Sequence, residues 1–316
     1  MPATDLSRSA FLGAVPLLGI AAATGVASAQ TAPLLRVGAV PVDGFAEAFY
    51  ARDMGFFDKA GLNVEITTFN NGSGATTAMA GGAIDIGIST VNAIANAVIH
   101  GLPWVYIAGG SMYVSSAPAA VLAIAKDSPV KTAADFVGKT VAISAFKDGT
   151  HLAMAAYLTK NGVDPAKVNF IEMPYPLMAA AVVRGTVAGA VIVEPFVAAS
   201  ANDVRTFAKP LDALSPEFLL AGWFTTSTWL KANASTARKF VAAIYETARW
   251  ANANHAKSGE LLQKYSKVDD ATVARMTRAV YAETLDAAQL DPTLDWSARV
   301  NFTERRVAAR ELIARV

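Results

Sequence analysis

Three polar segments of this 316-residue chain combine small residues with backbone amides and hydrogen-bonding side chains: residues 70–74, residues 147–151 and Glu194. Small residues let the backbone approach a ligand closely, and the free amides at a helix start attract an anion. Each such contact contributes only about 0.3–1 kcal/mol when exposed, so several must converge on one ligand. The segments therefore become a binding site only if the fold brings them together.

Each segment also has a purely structural interpretation. Gly72-Ser73-Gly74 fits an ordinary turn and helix cap, and Thr150 is a good helix cap in any case. Glu194 ends an apolar run just before a Pro, where it could accept a hydrogen bond from a ligand amine or form an ion pair across a hinge. Both interpretations stay open from the residues alone.

Aromatic residues leave a similar choice. They could offer flat faces to a ring-shaped ligand or simply pack in the core. The candidates are Tyr113, Tyr175, Trp223 and Phe224.

The residues needed for common catalytic and metal sites are scarce. The chain has 3 His and 0 Cys, and it lacks the HExxH, Gly-x-Ser-x-Gly and Walker patterns. Without Cys there is no disulfide framework, no thiolate metal site and no cysteine for a lipid anchor. We therefore predict no enzymatic activity, no metal and no cofactor.

Composition bounds the partners and the size of the core. The formal net charge is +1, charged residues make up only 17%, and Lys and Arg do not cluster. That balance argues against nucleic acid and anionic lipid as partners. With 53% hydrophobic residues, a chain of this length can bury a large core and form two lobes.

Residues 1–30 have the pattern of a signal peptide. An apolar stretch from Phe11 to Val26 is followed by Ala27-Ser28-Ala29, a small-residue cleavage site. An uncleaved membrane anchor is the alternative, but the stretch is short and interrupted by Pro16. Arg8 lacks the second Arg of a twin-arginine signal, which favours general secretion. We predict a protein free in a bacterial periplasm.

The elements that must position the polar segments are strands and helices in alternation. Apolar strands end in polar loops that open helices, first over residues 34–118 and again over residues 119–226. This predicts an α/β protein with two βαβ sheets of one design. We expect helices over residues 45–60, 270–282 and 303–316, the last two packing on the core.

With these segments in place, the chain resembles the periplasmic substrate-binding proteins of ABC importers. The closest group is the type II branch that binds sulfonates, nitrate and thiamine-precursor pyrimidines. The resemblance spans the mature chain, but Ala188 stands where the second return strand usually carries an Asp, as Asp85 does in the first. The motifs that carry it are residues 51–64, 72–74, 135–139 and 194–196.

The resemblance implies a type II fold, with a ligand held between two lobes and loops from both lobes closing on it. Lobe I would comprise residues 34–118 and 227–316, and lobe II residues 119–226, with hinges near 117–121 and 219–226. The implied ligand-binding residues are Asp43, Gly44, Phe45, Asn71, Gly72, Ser73, Ser89, Thr90, Asn92, Lys147, Thr150, His151, Met173, Glu194 and Trp223.

The implied function is to carry a small organic molecule, as a monomer, to a membrane permease and its ATPase. The sequence leaves the identity of that molecule open. The alternative is an enzyme similar to the fungal synthases of the thiamine pyrimidine, which share this fold. Their Cys-rich motif is absent here, because the chain contains 0 Cys.

Overall fold

The computed structural model describes residues 32–316, so the predicted signal peptide, residues 1–30, lies outside the described part. Within residues 32–316, no helix is both long and apolar enough to span a membrane. This part of the chain forms one compact unit of strands and helices.

The strands are short and mostly buried, as expected for sheets covered by helices. In chain order they are β1 (Leu34–Ala39), β2 (Asn63–Thr68), β3 (Ile86–Thr90), β4 (Trp104–Gly109), β5 (Ser111–Val114), β6 (Ala120–Ala125), β7 (Thr140–Ile143), β8 (Asn169–Glu172), β9 (Gly189–Val193), β10 (Val204–Ala208), β11 (Glu217–Leu219), β12 (Ala221–Thr226) and β13 (Val280–Tyr281).

The helices alternate with the strands in the first two thirds of the chain and dominate the last third. They are α1 (Glu47–Asp53), α2 (Phe56–Lys59), α3 (Gly72–Ala80), α4 (Val91–Ile99), α5 (Gly149–Lys160), α6 (Tyr175–Val183), α7 (Phe196–Ala199), α8 (Ser227–Ala232), α9 (Ala234–Ala253), α10 (His255–Ser266), α11 (Asp270–Arg275), α12 (Asp291–Arg299) and α13 (Ala309–Leu312).

Two five-stranded sheets share one design. The first has the order β2-β1-β3-β12-β4, and the second, read from the opposite edge, has the order β8-β7-β9-β6-β10. In each sheet the first three strands are parallel, and the fourth runs antiparallel to its neighbours. The predicted α/β class with two sheets of one design is confirmed.

A small third sheet lies where the chain passes between the first two. It has the order β11-β5-β13. The chain leaves for the second sheet after β5 and returns to the first sheet after β11, so this small sheet pairs the strands that precede the two crossings. The outward crossing is residues 115–119, between β5 and β6, and the return crossing is Leu220. Residues 221–226, which we expected in a hinge, form β12 inside the first sheet.

Three helix predictions were wrong in extent. Residues 45–60 break at Gly55, whose φ of +72° suits glycine, and give α1 and α2 separately. Of residues 270–282 only α11 is helical, since the chain then extends into β13. Of residues 303–316 only α13 is helical. The reason for the extended stretch after α11 lies in the site described next.

Candidate ligand-binding site

A cavity opens between the first and second sheets, at the ends of the strands that carry the polar loops. The space between the walls, counted together with open solvent at its mouth, is about 750 Å³. Parallel α/β sheets place their ligand sites at this edge, because loops and helix N-termini gather there. Its wall is formed by Val42, Gly44, Phe45, Gly72, Ser73, Ser89, Thr90, Met112, Tyr113, Ala119, Ala120, Asp148, Gly149, Thr150, Tyr175, Val191, Val193, Glu194, Leu211 and Leu220.

The first sheet contributes the start of α3 and the end of β3. The Asn71 side chain caps α3 by accepting a hydrogen bond from the Gly74 amide at 2.9 Å. Gly72 and Ser73 are the first two residues of α3, so no helix carbonyl lies four residues before them to accept from their amides. Since Gly72 and Ser73 lie in the cavity wall, their amides are candidate donors for a ligand.

Two hydroxyls of the same wall are buried without a partner. Among the described residues, nothing hydrogen-bonds to Ser89 Oγ or Thr90 Oγ1, although these residues are only 1% and 8% exposed. A buried polar group left unpaired costs about 1–3 kcal/mol. A ligand that paired with these hydroxyls would recover that cost, so they are the strongest local indication of a binding site.

The second sheet contributes a loop whose polar groups are paired with one another. One carboxylate oxygen of Asp148 accepts from the amides of Thr150 and His151 at 2.9 and 3.0 Å and from the Thr150 hydroxyl at 2.7 Å. The other accepts from the Ser144 hydroxyl. Burial raises the pKa of Asp148, while these hydrogen bonds favour its charged form. The Asp148 side chain therefore already accepts hydrogen bonds from amides at the start of α5.

Gly149 allows the two walls to approach one another, and Gly72 allows the start of α3 to pack against the end of β3. A Cβ on Gly149 would lie 2.9 Å from Cγ2 of Thr90, which belongs to the first sheet. A Cβ on Gly72 would lie 2.9 Å from Oγ of Ser89. Real Cβ atoms do not come this close, so a larger residue at either position would push the walls apart or displace the unpaired hydroxyls.

Glu194 lies at the cavity wall, but its carboxylate is already engaged. Its two oxygens accept from the amides of Ala198 and Thr277, each at 3.0 Å. Burial raises the pKa of Glu194 to about 7, and the two amides act in the opposite direction. The side chain thus links the end of the second sheet to the segment that follows α11.

Asp43, in contrast, is fully buried behind the wall. Its carboxylate pairs with the Arg278 guanidinium at 2.7 and 3.0 Å and accepts from the Ala279 amide at 2.7 Å. The pair fixes the turn that presents Gly44 and Phe45 to the cavity. It also explains why residues 276–279 are extended, since a helix would carry the amide and the guanidinium away from Asp43.

Two Asn side chains cross from the first sheet to the loop of the second. Asn71 Nδ2 donates to the Ser144 carbonyl, and Asn92 Nδ2 donates to the Lys147 carbonyl, both at 2.7 Å. These bonds join the two walls beside the cavity, and neither Asn lines the cavity itself. The structure thus uses both Asn residues to hold the walls together.

The remaining candidates also lie away from the wall. The His151 ring packs among Phe146, Phe170 and Phe302, and burial lowers its pKa to about 4. Trp223 is fully buried in β12, where its Nε1 donates to Glu47 at 2.7 Å. Of the predicted set, those outside the wall are Asp43, Asn71, Asn92, Lys147, His151, Met173 and Trp223, while Gly44, Phe45, Gly72, Ser73, Ser89, Thr90, Thr150 and Glu194 line it.

The wall residues that the predicted set lacks are mainly apolar. Asp148 and Gly149 lie within the segment 147–151 that the sequence singles out, and Tyr113 and Tyr175 were candidate aromatic faces. The others are apolar residues near strand ends, which nothing in the sequence distinguishes from ordinary core. These are Val42, Met112, Ala119, Ala120, Val191, Val193, Leu211 and Leu220.

Two sheets of the same strand order, with a cavity at their facing edges, define the fold of the periplasmic binding proteins. A family model described as NMT1/THI5 like matches residues 43–258. The chain belongs to this family. A comparison with curated protein sequences finds no match.

Solved structures support the same fold. The alkanesulfonate-binding protein SsuA from Xanthomonas axonopodis pv. citri, bound to MOPS, superposes with a TM-score of 0.77 at 18% identity, covering 90% of this chain and 99% of that one. The nitrate-binding protein NrtA from Synechocystis PCC 6803 gives 0.66 at 17%, covering 78% and 69%. The desulfurization enzyme DSZB gives 0.63 at 16%, covering 89% and 96%.

Proposed function

We propose that the protein is the solute-binding component of an ABC importer. It holds a small organic molecule between its two sheets in the periplasm and delivers it to a membrane permease driven by an ATPase. The observation that carries the proposal is the cavity. Loops from both sheets line it, and two buried hydroxyls in its lining lack a partner among the described residues.

The lobes of the proposal follow the two sheets. Lobe I contains β1 to β4 and β12, and lobe II contains β6 to β10. We place the end of lobe II at Leu220 and not at residue 226, because β12 belongs to the first sheet. Opening and closing would occur at the two crossings, residues 115–119 and Leu220, as in other hinged binding proteins.

The rival function, an enzyme related to thiamine-pyrimidine synthases, has less support. None of the chain's 3 His residues lines the cavity, and the chain has 0 Cys. The two carboxyl groups of the wall are engaged with protein amides and hydroxyls, so neither is free to act as a base. The family match and the sulfonate- and nitrate-binding neighbours favour binding, although DSZB shows that the fold also accommodates catalysis.

Cell fractionation combined with a thermal-shift screen tests the proposal. We expect the full-length chain, expressed in a bacterial host, to be recovered in the periplasmic extract, and small organic compounds to raise its melting temperature. Ala119→Phe, which fills the cavity, should abolish the shift, and Ala117→Phe on the same crossing but off the wall should preserve it. Retention in the cytosol, or turnover of a bound compound, would contradict the proposal.

A further inference from the structure

The cavity wall carries acidic but no basic side chains. Among the described residues that line it, Asp148 and Glu194 are acidic, and none is Lys, Arg or His. An anion entering this space would lose its hydration and meet no basic side chain, with only the amides of Gly72 and Ser73 at the start of α3 to compensate for its charge. The neighbours named for sulfonate and nitrate therefore do not indicate the ligand of this chain.

Two basic groups beside the wall are engaged by other groups, and Lys147, next to Asp148 in the chain, is exposed and does not line the cavity. The Arg278 guanidinium is paired with Asp43 behind the wall. His151 accepts a hydrogen bond from the Lys147 amide at 3.0 Å, and burial together with the charge of Lys147 lowers its pKa to about 4. It is therefore neutral at physiological pH and cannot neutralise an anion.

The start of α5 is also closed to an anionic ligand. Helix N-termini bind anions through their free amides, but the amides of Thr150 and His151 already donate to Asp148. Asp148 is only 6% exposed and lies in the wall itself. It occupies the place of a ligand anion and repels a second one.

What the wall does offer is suited to an uncharged polar molecule. The unpartnered hydroxyls of Ser89 and Thr90 can each donate or accept, and the amides of Gly72 and Ser73 can donate. The aromatic rings of the wall and the aliphatic residues of the second sheet would enclose an apolar body. An amide or a similar neutral group attached to a ring matches both features.

We propose that the cavity binds an uncharged small organic molecule through the hydroxyls of Ser89 and Thr90, and that Asp148 excludes sulfonates, carboxylates and nitrate. This inference rests on the proposed function, since it specifies the ligand class of the same site. In this proposal Asp148 has two roles: it caps α5, and it determines specificity by excluding anions.

Calorimetric titration with matched pairs tests the inference. The pairs are benzamide against benzoate and benzenesulfonamide against benzenesulfonate, with nitrate and MOPS as further anions. We expect benzamide and benzenesulfonamide to bind at least tenfold more tightly than their charged partners, and no anion to bind at 10 mM.

Asp148→Asn keeps a side-chain oxygen for the helix cap but removes the charge. We expect this variant to reduce the ratio between the dissociation constants of the charged and the neutral partner at least fivefold. Asp164→Asn is the matched control, since exposed Asp164 caps its turn in the same way, accepting from the Ala166 amide at 3.0 Å, and does not line the cavity. It should leave the preference unchanged.

The outcomes separate the inference from the proposed function. An anion that binds more tightly than its neutral partner overturns the inference and leaves the solute-binding function in place. An unchanged preference in Asp148→Asn overturns the role of Asp148. If no compound of either kind binds, both the inference and the proposed function fail.

Discussion

The two walls of the cavity come from sheets of the same design but differ in their chemistry. On the first wall the Ser89 and Thr90 hydroxyls have no partner among the described residues. On the second wall Ser144, Asp148 and Thr150 bond to one another. The proposal therefore assigns hydrogen bonding with the ligand to the first wall, and to the second wall an apolar surface whose polar groups are already paired with one another.

The largest effect is expected where the first wall is anchored. Arg278→Met would leave Asp43 buried without its partner, which costs about 3–5 kcal/mol in the free energy of unfolding. Urea denaturation measures this loss. Lys264→Met breaks the exposed pair with Asp53 and should cost less than about 1 kcal/mol. Equal losses in the two variants would show that the Asp43–Arg278 pair does not hold the wall.

A pH dependence should arise from the acid behind the first wall. Burial raises the pKa of Glu47 to about 8, and the hydrogen bond from Trp223 opposes this only in part. The folded state then retains a proton that the unfolded state releases above about pH 4.3. The contribution of Glu47 to stability is therefore complete below that pH and decreases by about 1.4 kcal/mol per pH unit until the folded carboxyl ionises near pH 8.

Denaturation at several pH values between 5 and 8 tests this dependence. Glu47→Gln can still accept from Trp223 and should remove the contribution of Glu47, leaving the part of the slope that comes from Glu194, whose pKa burial raises to about 7. Glu246→Gln, on the exposed surface where it pairs with Lys59, is the control and should keep the wild-type slope. A curve for Glu47→Gln identical to the wild type would contradict the prediction.

Replacing one hydroxyl on each wall sharpens the comparison. Thr150→Val removes bonds to Asp148 and to the Ser144 amide, so stability should fall by about 1–2 kcal/mol with little effect on binding. Ser89→Ala removes an unpaired hydroxyl, so stability should be unchanged or higher while benzamide binding weakens about fivefold or more. The reverse pattern, measured by calorimetry and denaturation, would assign the polar contacts to the second wall.

The smallest effect concerns the bonds between the walls. Asn92→Leu removes the donor to the Lys147 carbonyl, and one such hydrogen bond contributes about 1 kcal/mol. We expect benzamide to dissociate about fivefold faster, as measured by stopped-flow fluorescence. Asn161→Leu, which loses a bond to Tyr157 within one lobe, should dissociate at the wild-type rate. Identical rates in the two variants would exclude a role of Asn92 in closure.

Much of the fold follows from local sequence patterns. Apolar runs followed by polar loops and helices predict both sheets, because each strand and the helix after it are set by neighbouring residues. The loops near Gly72 and Thr150 were recognised for the same reason. The stretch after α11 was not, because its extended form depends on Asp43, which is 236 positions from Ala279.

The site was harder to predict than the fold. Asn71 and Asn92 are predicted to touch the ligand, and the structure adds a second role: their side-chain nitrogens donate to the loop of the second sheet, which depends on the packing of two distant segments. Trp223 was a candidate aromatic face, but its side of β12 turns into the core toward Glu47. Val191 and Val193 line the cavity and yet look like any buried strand residues in the sequence.

Hydrogen–deuterium exchange with and without benzamide tests most directly which wall contacts the ligand. The amides of Gly72 and Ser73 should exchange more slowly when benzamide is bound, because they gain a partner. The amides of Thr150 and His151 should be protected to the same extent in both states, because Asp148 already binds them. New protection at Thr150 and His151, with none at Gly72 and Ser73, would contradict the account.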